Sequence, residues 1–136
     1  MSYPVLLDTC TAIWLMNGDQ MSQQSRDAIG RGQKHGVYVS PITAWEIGIL
    51  AATGRLQLTL SPDAWFDELL SLPGVRLADL PPKVMIDSSF LPGTAPQDPA
   101  DRILAATARF YGYSIITRDR ALLEYGREGH AKVIAC

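Results

Sequence analysis

Cysteine and histidine are scarce in this chain. Two of each occur in 136 residues. Cys10, Cys136, His35 and His130 show no CxxC or Cys/His ligand spacing, so neither a zinc centre nor an oxidising compartment is called for. Cys10, set in an apolar stretch, is expected to be a core thiol. An excess of charge of either sign is missing too. Twelve Lys and Arg against 14 Asp and Glu leave a net charge of −2. That argues against a broad basic coat for nucleic acid, though not against an enzyme that grips phosphate through metal ions. No apolar run approaches the roughly 20 residues of a membrane span. The first residues lack the basic segment, apolar run and cleavage site of a secretory signal, which makes the cytoplasm the expected compartment. Repeats, low-complexity tracts and linker-like segments are lacking as well, so residues 1–136 are expected to form one domain with one core.

What is present is an alternation of short apolar runs and helical patterns. The runs Val5–Leu7, Val37–Val39, Val75–Leu77, Ser114–Ile116 and Lys132–Ile134 read as strands. Between them, Thr11–Met16 reads as a helix closed by Asn17-Gly18, and Ser22 as the cap of a polar helix to about Ile29. Ser40-Pro41 and Ser61-Pro62 each pair an N-cap with a proline at the first helical position, starting helices to about Thr53 and Leu70. Pro82–Phe90 is a further helix candidate. Asp98-Pro99 opens a clear one, with Ile103, Leu104, Thr107, Phe110 and Tyr111 at helical spacing and Gly112 as the stop. A short helix from about Asp119 to Tyr125 precedes the last strand. Alternating strands and helices, with strands apolar on both faces, predict an α/β fold with a parallel sheet covered on both sides.

Two acids stand out by their isolation. Asp8 is the sole charged residue between Met1 and Gly18, and Glu46 the sole one between Gly36 and Gly54. An ionised carboxylate in an apolar setting costs several kcal/mol, roughly, unless something compensates it, so a counter-charge is expected near each. Asp8 and Asp119 directly follow strands, where open α/β sheets bind ligands. Asp101 lies in the first turn of the helix leading to the fourth strand, and Glu46 a turn or more into the helix after the second. All four could reach one edge. Four carboxylates in one crevice raise one another's pKa, and a hard divalent cation, Mg²⁺ or Mn²⁺, resolves the conflict. Such a site suits in-line hydrolysis of a phosphodiester.

Plainer readings compete. Asp98 before Pro99 is first an N-cap, and Asp101 behind it an acid favoured by the helix dipole. Asp8 and Asp119 could each be caps. Glu46 is too deep in its helix to cap it, and its same-face neighbours Ile42 and Leu50 are apolar; an ion pair with a distant arginine is its alternative. Thr9 and Thr117 flank the acids and read as backbone caps or as part of the site. Arg102, Arg118 and Arg120 could meet RNA phosphates, with solvated or structural roles the commoner outcome. Trp14, Trp45 and Trp65 are expected in the core or an interface rather than as base-stacking platforms, and neither histidine is expected to be a general base.

The segments LLDTCTAIWL (Leu6–Leu15), SPITAWEIGIL (Ser40–Leu50), DPADRILAATA (Asp98–Ala108) and IITRD (Ile115–Asp119) together resemble the PIN-domain ribonucleases, specifically the VapC-like toxins of bacterial toxin–antitoxin pairs. The resemblance covers essentially the whole chain. It implies a PIN-like three-layer α/β/α fold whose central parallel sheet has about five strands in the order 3-2-1-4-5. It also implies an acidic pocket in which Asp8 and Asp101 are most directly tied to metal and Glu46 and Asp119 complete the set. Asp98 matches a recurrent acid of the motif, Thr9 the hydroxyl residue after the first acid, and Thr117 one near the last. An RNA substrate, a cognate protein antitoxin and a homodimer or higher assembly are implied as well. A signalling receiver domain would need adjacent acids after the first strand, whereas Asp8 is followed by Thr9; a catalytically dead PIN module is a second rival, though all four acids are present. If the metal-free acids repel, Asp8→Asn is expected to stabilise the metal-free protein near neutral pH while abolishing cleavage.

Overall fold

The computed structural model describes residues 4–136. Five strands, β1 (Val5–Leu7), β2 (Val37–Val39), β3 (Val75–Leu77), β4 (Ser114–Thr117) and β5 (Lys132–Ala135), form one parallel sheet in the order β3-β2-β1-β4-β5. Every pairing is parallel, with Leu6 aligned to Tyr38 on one side and to Ile115 on the other. The helices are α1 (Thr9–Asn17), α2 (Gln23–His35), α3 (Pro41–Ala52), α4 (Pro62–Ser71), α5 (Pro82–Asp87), α6 (Pro99–Tyr111) and α7 (Arg120–Arg127). None among the described residues is long and apolar enough to cross a membrane.

Side chains alternate across a strand, and β1 shows how this builds three layers. Val5 and Leu7 point into one core with Ala28 and Ile29 of α2, Ile47 of α3 and Trp65 and Leu69 of α4. Leu6 points into the other, with Leu104, Ala105 and Ala108 of α6 and Leu122 and Tyr125 of α7. The strand order reverses at β1, which has β2 on one side and β4 on the other. The crevice beyond the carboxyl ends of β1 and β4 is therefore the switch point of the sheet.

The helix boundaries differ from expectation in instructive places. α1 begins at Thr9 because Asp8, with extended backbone, is its cap. α2 runs past Ile29 to His35: Ser25, Ala28, Ile29 and Gly32 form one buried stripe, and packing outweighs the helix-weakening glycines. α5 stops at Asp87, and the Ser88 hydroxyl beyond it donates to the Met85 carbonyl at 2.6 Å. α7 continues through Gly126, where a β-carbon would sit 2.1 Å from Val133 Cγ2; glycine is what lets the helix lie against β5.

Gly74, in the turn into β3, combines a φ of +77° with a backbone approach in which a β-carbon would lie 2.6 Å from Gln33 Cα. Relief requires moving backbone on α2 or β3. Gly74→Ala is predicted to destabilise the protein by about 2 kcal/mol or more, measured by urea unfolding. A change within experimental error would show that the turn relaxes freely.

Candidate active site

Each acid is placed by an ordinary local device. Asp8 ends β1, and its backbone N–H reaches the Ile116 carbonyl at 3.3 Å, joining it to the end of β4. Its carboxylate caps α1, with Oδ1 accepting from the Thr11 N–H at 2.8 Å. The other oxygen, Oδ2, accepts from the Thr117 hydroxyl at 2.6 Å. Thr117 Oγ1 in turn accepts the Asp119 N–H at 2.9 Å, and Asp119 Oδ2 caps α7 through the Leu122 N–H at 2.9 Å. One buried hydroxyl thus couples the acids after β1 and β4.

On the other flank, the Thr9 hydroxyl donates to Glu46 Oε1 and lies 3.2 Å from the hydroxyl of Thr43, one turn before Glu46 on α3. Asp98 caps α6 by accepting the Asp101 N–H at 3.0 Å, which fixes the turn that presents Asp101. The cap readings and the site readings are thus not exclusive. Asp119 and Asp98 each use a single oxygen for the cap.

The expected counter-charges take a different form. The described ion pairs, Lys83–Asp87, Arg127–Glu124 and Glu128–His130, lie elsewhere. Hydroxyls and a backbone N–H meet Asp8 and Glu46 instead. They orient both carboxylates without neutralising the negative charge. The Asp101 carboxyl is pushed from 3.8 up to about 7, first by burial and then by the charges of Asp119, Asp98, Glu46 and Asp8. Glu46 is also raised, chiefly by burial; the Thr9 hydroxyl pulls it down, and Asp98 and Asp8 push it up. Asp101 therefore senses every acid singled out in the sequence.

Cys10 corrects one expectation. It is exposed rather than a core thiol, because α1 turns Thr9, Thr11 and Ala12 inward and leaves Cys10 outside that face. Its thiol is pushed up by partial burial and then by Asp8, Glu46, Asp101 and Asp119, so it borders the cluster. Thr43 is the residue that sequence reading missed. Its place three residues before Glu46, on the same face of α3, is the signal that could have found it.

Two of the arginines are structural. Arg102 donates to the carbonyls of Ser88 at 2.8 Å and Pro96 at 3.0 Å, binding the preceding loop to α6. Arg118 donates to the carbonyls of Cys136 and Gln20, both at 3.0 Å, with its guanidinium 3.8 Å above the Trp14 ring. Arg120 is exposed on the first turn of α7. Trp65 belongs to the core, whereas Trp45 is 58% exposed. His35 and His130 precede β2 and β5, at the opposite edge of the sheet from the acids.

The pattern that defines the PIN domain family matches residues 5–128. Among curated proteins, Ribonuclease VapC22 of Mycobacterium tuberculosis is 34% identical over 119 residues, covering 87% of this chain and 88% of that protein. Among solved structures, VapBC2 from Rickettsia felis bound to a promoter DNA fragment aligns with a TM-score of 0.68 at 13% identity, covering 96% of this chain and 97% of that one. DNA-bound VapBC from Salmonella typhimurium aligns with a TM-score of 0.66 at 20% identity, covering 99% and 98%. These two likenesses speak to the fold alone.

The charge on Asp101 has a measurable consequence. Its folded pKa is raised from 3.8 to about 7, so between those values the folded protein holds a proton that the unfolded chain has lost. Stability of the metal-free protein therefore falls as pH rises through that window. Asp101→Asn is predicted to stabilise the metal-free protein at pH 8 by about 1–2 kcal/mol, after discounting for the solvent that reaches this half-buried group, and to have little effect near pH 4. Thermal unfolding in chelator at both pH values checks this; an equal gain at both would assign it to packing. Asp8 is a poorer place to seek the gain, since asparagine cannot accept both of the hydrogen bonds its carboxylate holds.

Proposed function

The chain belongs to the PIN domain family, and on that premise we propose that it is a metal-dependent endoribonuclease, the toxin of a toxin–antitoxin pair, working in the cytoplasm as a single domain over residues 1–136. The observation that carries the reading is the convergence of Asp8, Glu46, Asp98 and Asp119, from the end of β1, α3 and the starts of α6 and α7, on the half-buried Asp101 carboxyl, which is raised to about 7 first by burial and then by their charges. A fold does not gather like charges at a switch point without something to offset them. The similarity to Ribonuclease VapC22 supports RNA as the substrate.

The donors fit a hard divalent cation. They are all carboxylates, the donor type suited to Mg²⁺ or Mn²⁺, of which Mg²⁺ characteristically keeps several waters and takes one or two carboxylates plus phosphate oxygens. Among the described residues no three His, Cys, Asp or Glu side chains are grouped closely enough to hold an ion by themselves. Asp8 and Asp101 would hold the ion most directly, with Glu46 and Asp119 completing the acidic surround. When bound, such an ion offsets charge developing on the phosphoryl oxygens and acidifies water.

The protein's own part is to position. Thr117 and the Thr11 N–H lock both oxygens of Asp8, and Thr9 holds Glu46, so little reorganisation remains when phosphate arrives. With the acids ionised, the edge repels free RNA, and binding depends on the divalent ion. An antitoxin segment would lie on the outer face of α3. There a hollow of about 390 Å³, floored by Ala44 and Gly48 and walled by Phe66, separates α3 from α4. The active form is taken to be a homodimer or higher assembly.

Purified protein incubated with pooled cellular RNA and Mn²⁺ or Mg²⁺ is predicted to generate discrete new ends, mapped by sequencing. Asp101→Asn should reduce cleavage at least about 100-fold, and Thr117→Val, which frees Asp8 Oδ2, by about 10- to 100-fold. Random degradation that persists in Asp101→Asn would mark a contaminant. Size-exclusion chromatography with the co-expressed antitoxin should show a shared, larger species; an inert monomer that ignores the antitoxin would contradict the pairing.

A further inference from the structure

α3 has a second hollow on its opposite flank, toward α6. It measures about 280 Å³ and is lined by Trp45, Ile49, Leu50, Arg55 and Pro99, with Glu46 and Asp98 on its rim. We propose that this hollow is a nucleobase subsite, in which Trp45 stacks on one unpaired base of the RNA next to the scissile phosphate and Arg55 meets the adjoining phosphate. The inference rests on the ribonuclease reading of the acid cluster and deepens it by naming a determinant of sequence preference.

Three observations converge. The first is continuity: Glu46 and Asp98 belong both to the hollow and to the acidic edge, so whatever fills the hollow sits beside the group held at the acids. The second is chemistry. Ile49, Leu50, Pro99 and Ala100 make part of the lining apolar beside the Trp45 indole, which at 58% exposure has area open for stacking. The exposed Phe90 instead lines a hollow with Leu91, Pro92, Arg109 and Phe110 that includes none of the clustered acids. The third is charge. Arg55 is the one cation in this lining, beside two carboxylates that repel RNA. Its Nε donates to Thr53 Oγ1 at 3.1 Å, which steadies the guanidinium while other N–H groups stay available for a phosphate. Stacking tolerates any base but favours some, so the subsite would bias the position of the cut without fixing a long motif. Trp45, expected in the core or an interface, is not a core side chain.

The test uses a short oligoribonucleotide carrying one cut site mapped with the wild-type protein. Kinetics are compared for wild type, Trp45→Ala, Trp45→Phe, Arg55→Gln and the remote control Phe90→Ala. Trp45→Ala should raise KM by roughly 5- to 100-fold, with a smaller change in kcat, and relax base preference at one position beside the cut. Trp45→Phe should retain most of both, and Phe90→Ala should behave as wild type. Arg55→Gln should make the logarithmic salt dependence of binding shallower by about 0.7. If the wild type cleaves and Trp45→Ala keeps its KM and base preference, the subsite is refuted while the ribonuclease reading stands. The same holds if Trp45→Ala cleaves normally but no longer binds the co-expressed antitoxin, since the hollow is then a protein seat. If the wild type cleaves no RNA, both readings fall.

Discussion

Like charge held close together at a half-buried edge is the constraint on which this structure turns. Asp101 cannot ionise freely near neutrality because burial and the fields of Asp119, Asp98, Glu46 and Asp8 all oppose it. Moving those charges apart would relieve the repulsion, yet local hydrogen bonds keep them in place. The Thr117 hydroxyl ties Asp8 to the Asp119 backbone, and the Thr9 hydroxyl ties Glu46 to the start of α1. Neutral donors orient a carboxylate without cancelling its charge. An arginine in the same position would have quenched the site.

The same economy appears in the backbone. A parallel strand running into a helix must cap that helix, and aspartate is among the best caps. Placing aspartates at the junctions after β1 and β4 and before α6 meets three orphaned N–H groups and delivers three carboxyl groups to one edge. Sheet order does the rest: with β1 beside β4 and the order reversing at β1, these junctions open onto a single crevice. Stability and chemistry therefore share residues, and substitutions that remove the charge but keep a cap are the ones that can separate them.

Much of this was legible in the chain. Apolar runs of three or four residues between capped helices reported the parallel sheet, and the solitary charges Asp8 and Glu46 reported a reason for being there. Strand order came from the family resemblance rather than from periodicity, since short apolar strands look alike whichever neighbour they take. Three features were out of reach for a physical reason. The extent of α2 depended on a stripe of small residues packing on the sheet, which outweighs glycine's local preference. The exposure of Cys10 depended on which face α1 turns inward, and a nearly uniform apolar segment does not specify that. Thr43 stood at helical spacing before Glu46, but its pairing with Thr9 became visible only when α1 and α3 met. The counter-charge expected at Asp8 and Glu46 was read as a divalent cation, with an arginine as the alternative for Glu46; among the described residues hydroxyls and a backbone N–H orient both carboxylates without neutralising them.

The most direct test is calorimetric titration of Mn²⁺ into metal-free protein, in buffers of different ionisation enthalpy, from pH 6 to pH 9. Cation binding needs the carboxylate form, so Asp101 must give up the proton it holds below about 7. The account predicts release of nearly one proton per site at pH 6 and almost none at pH 9, with affinity rising between, and loss of that pH dependence in Asp101→Asn. Tight binding with no proton release at pH 6, or an unchanged profile in Asp101→Asn, would contradict it.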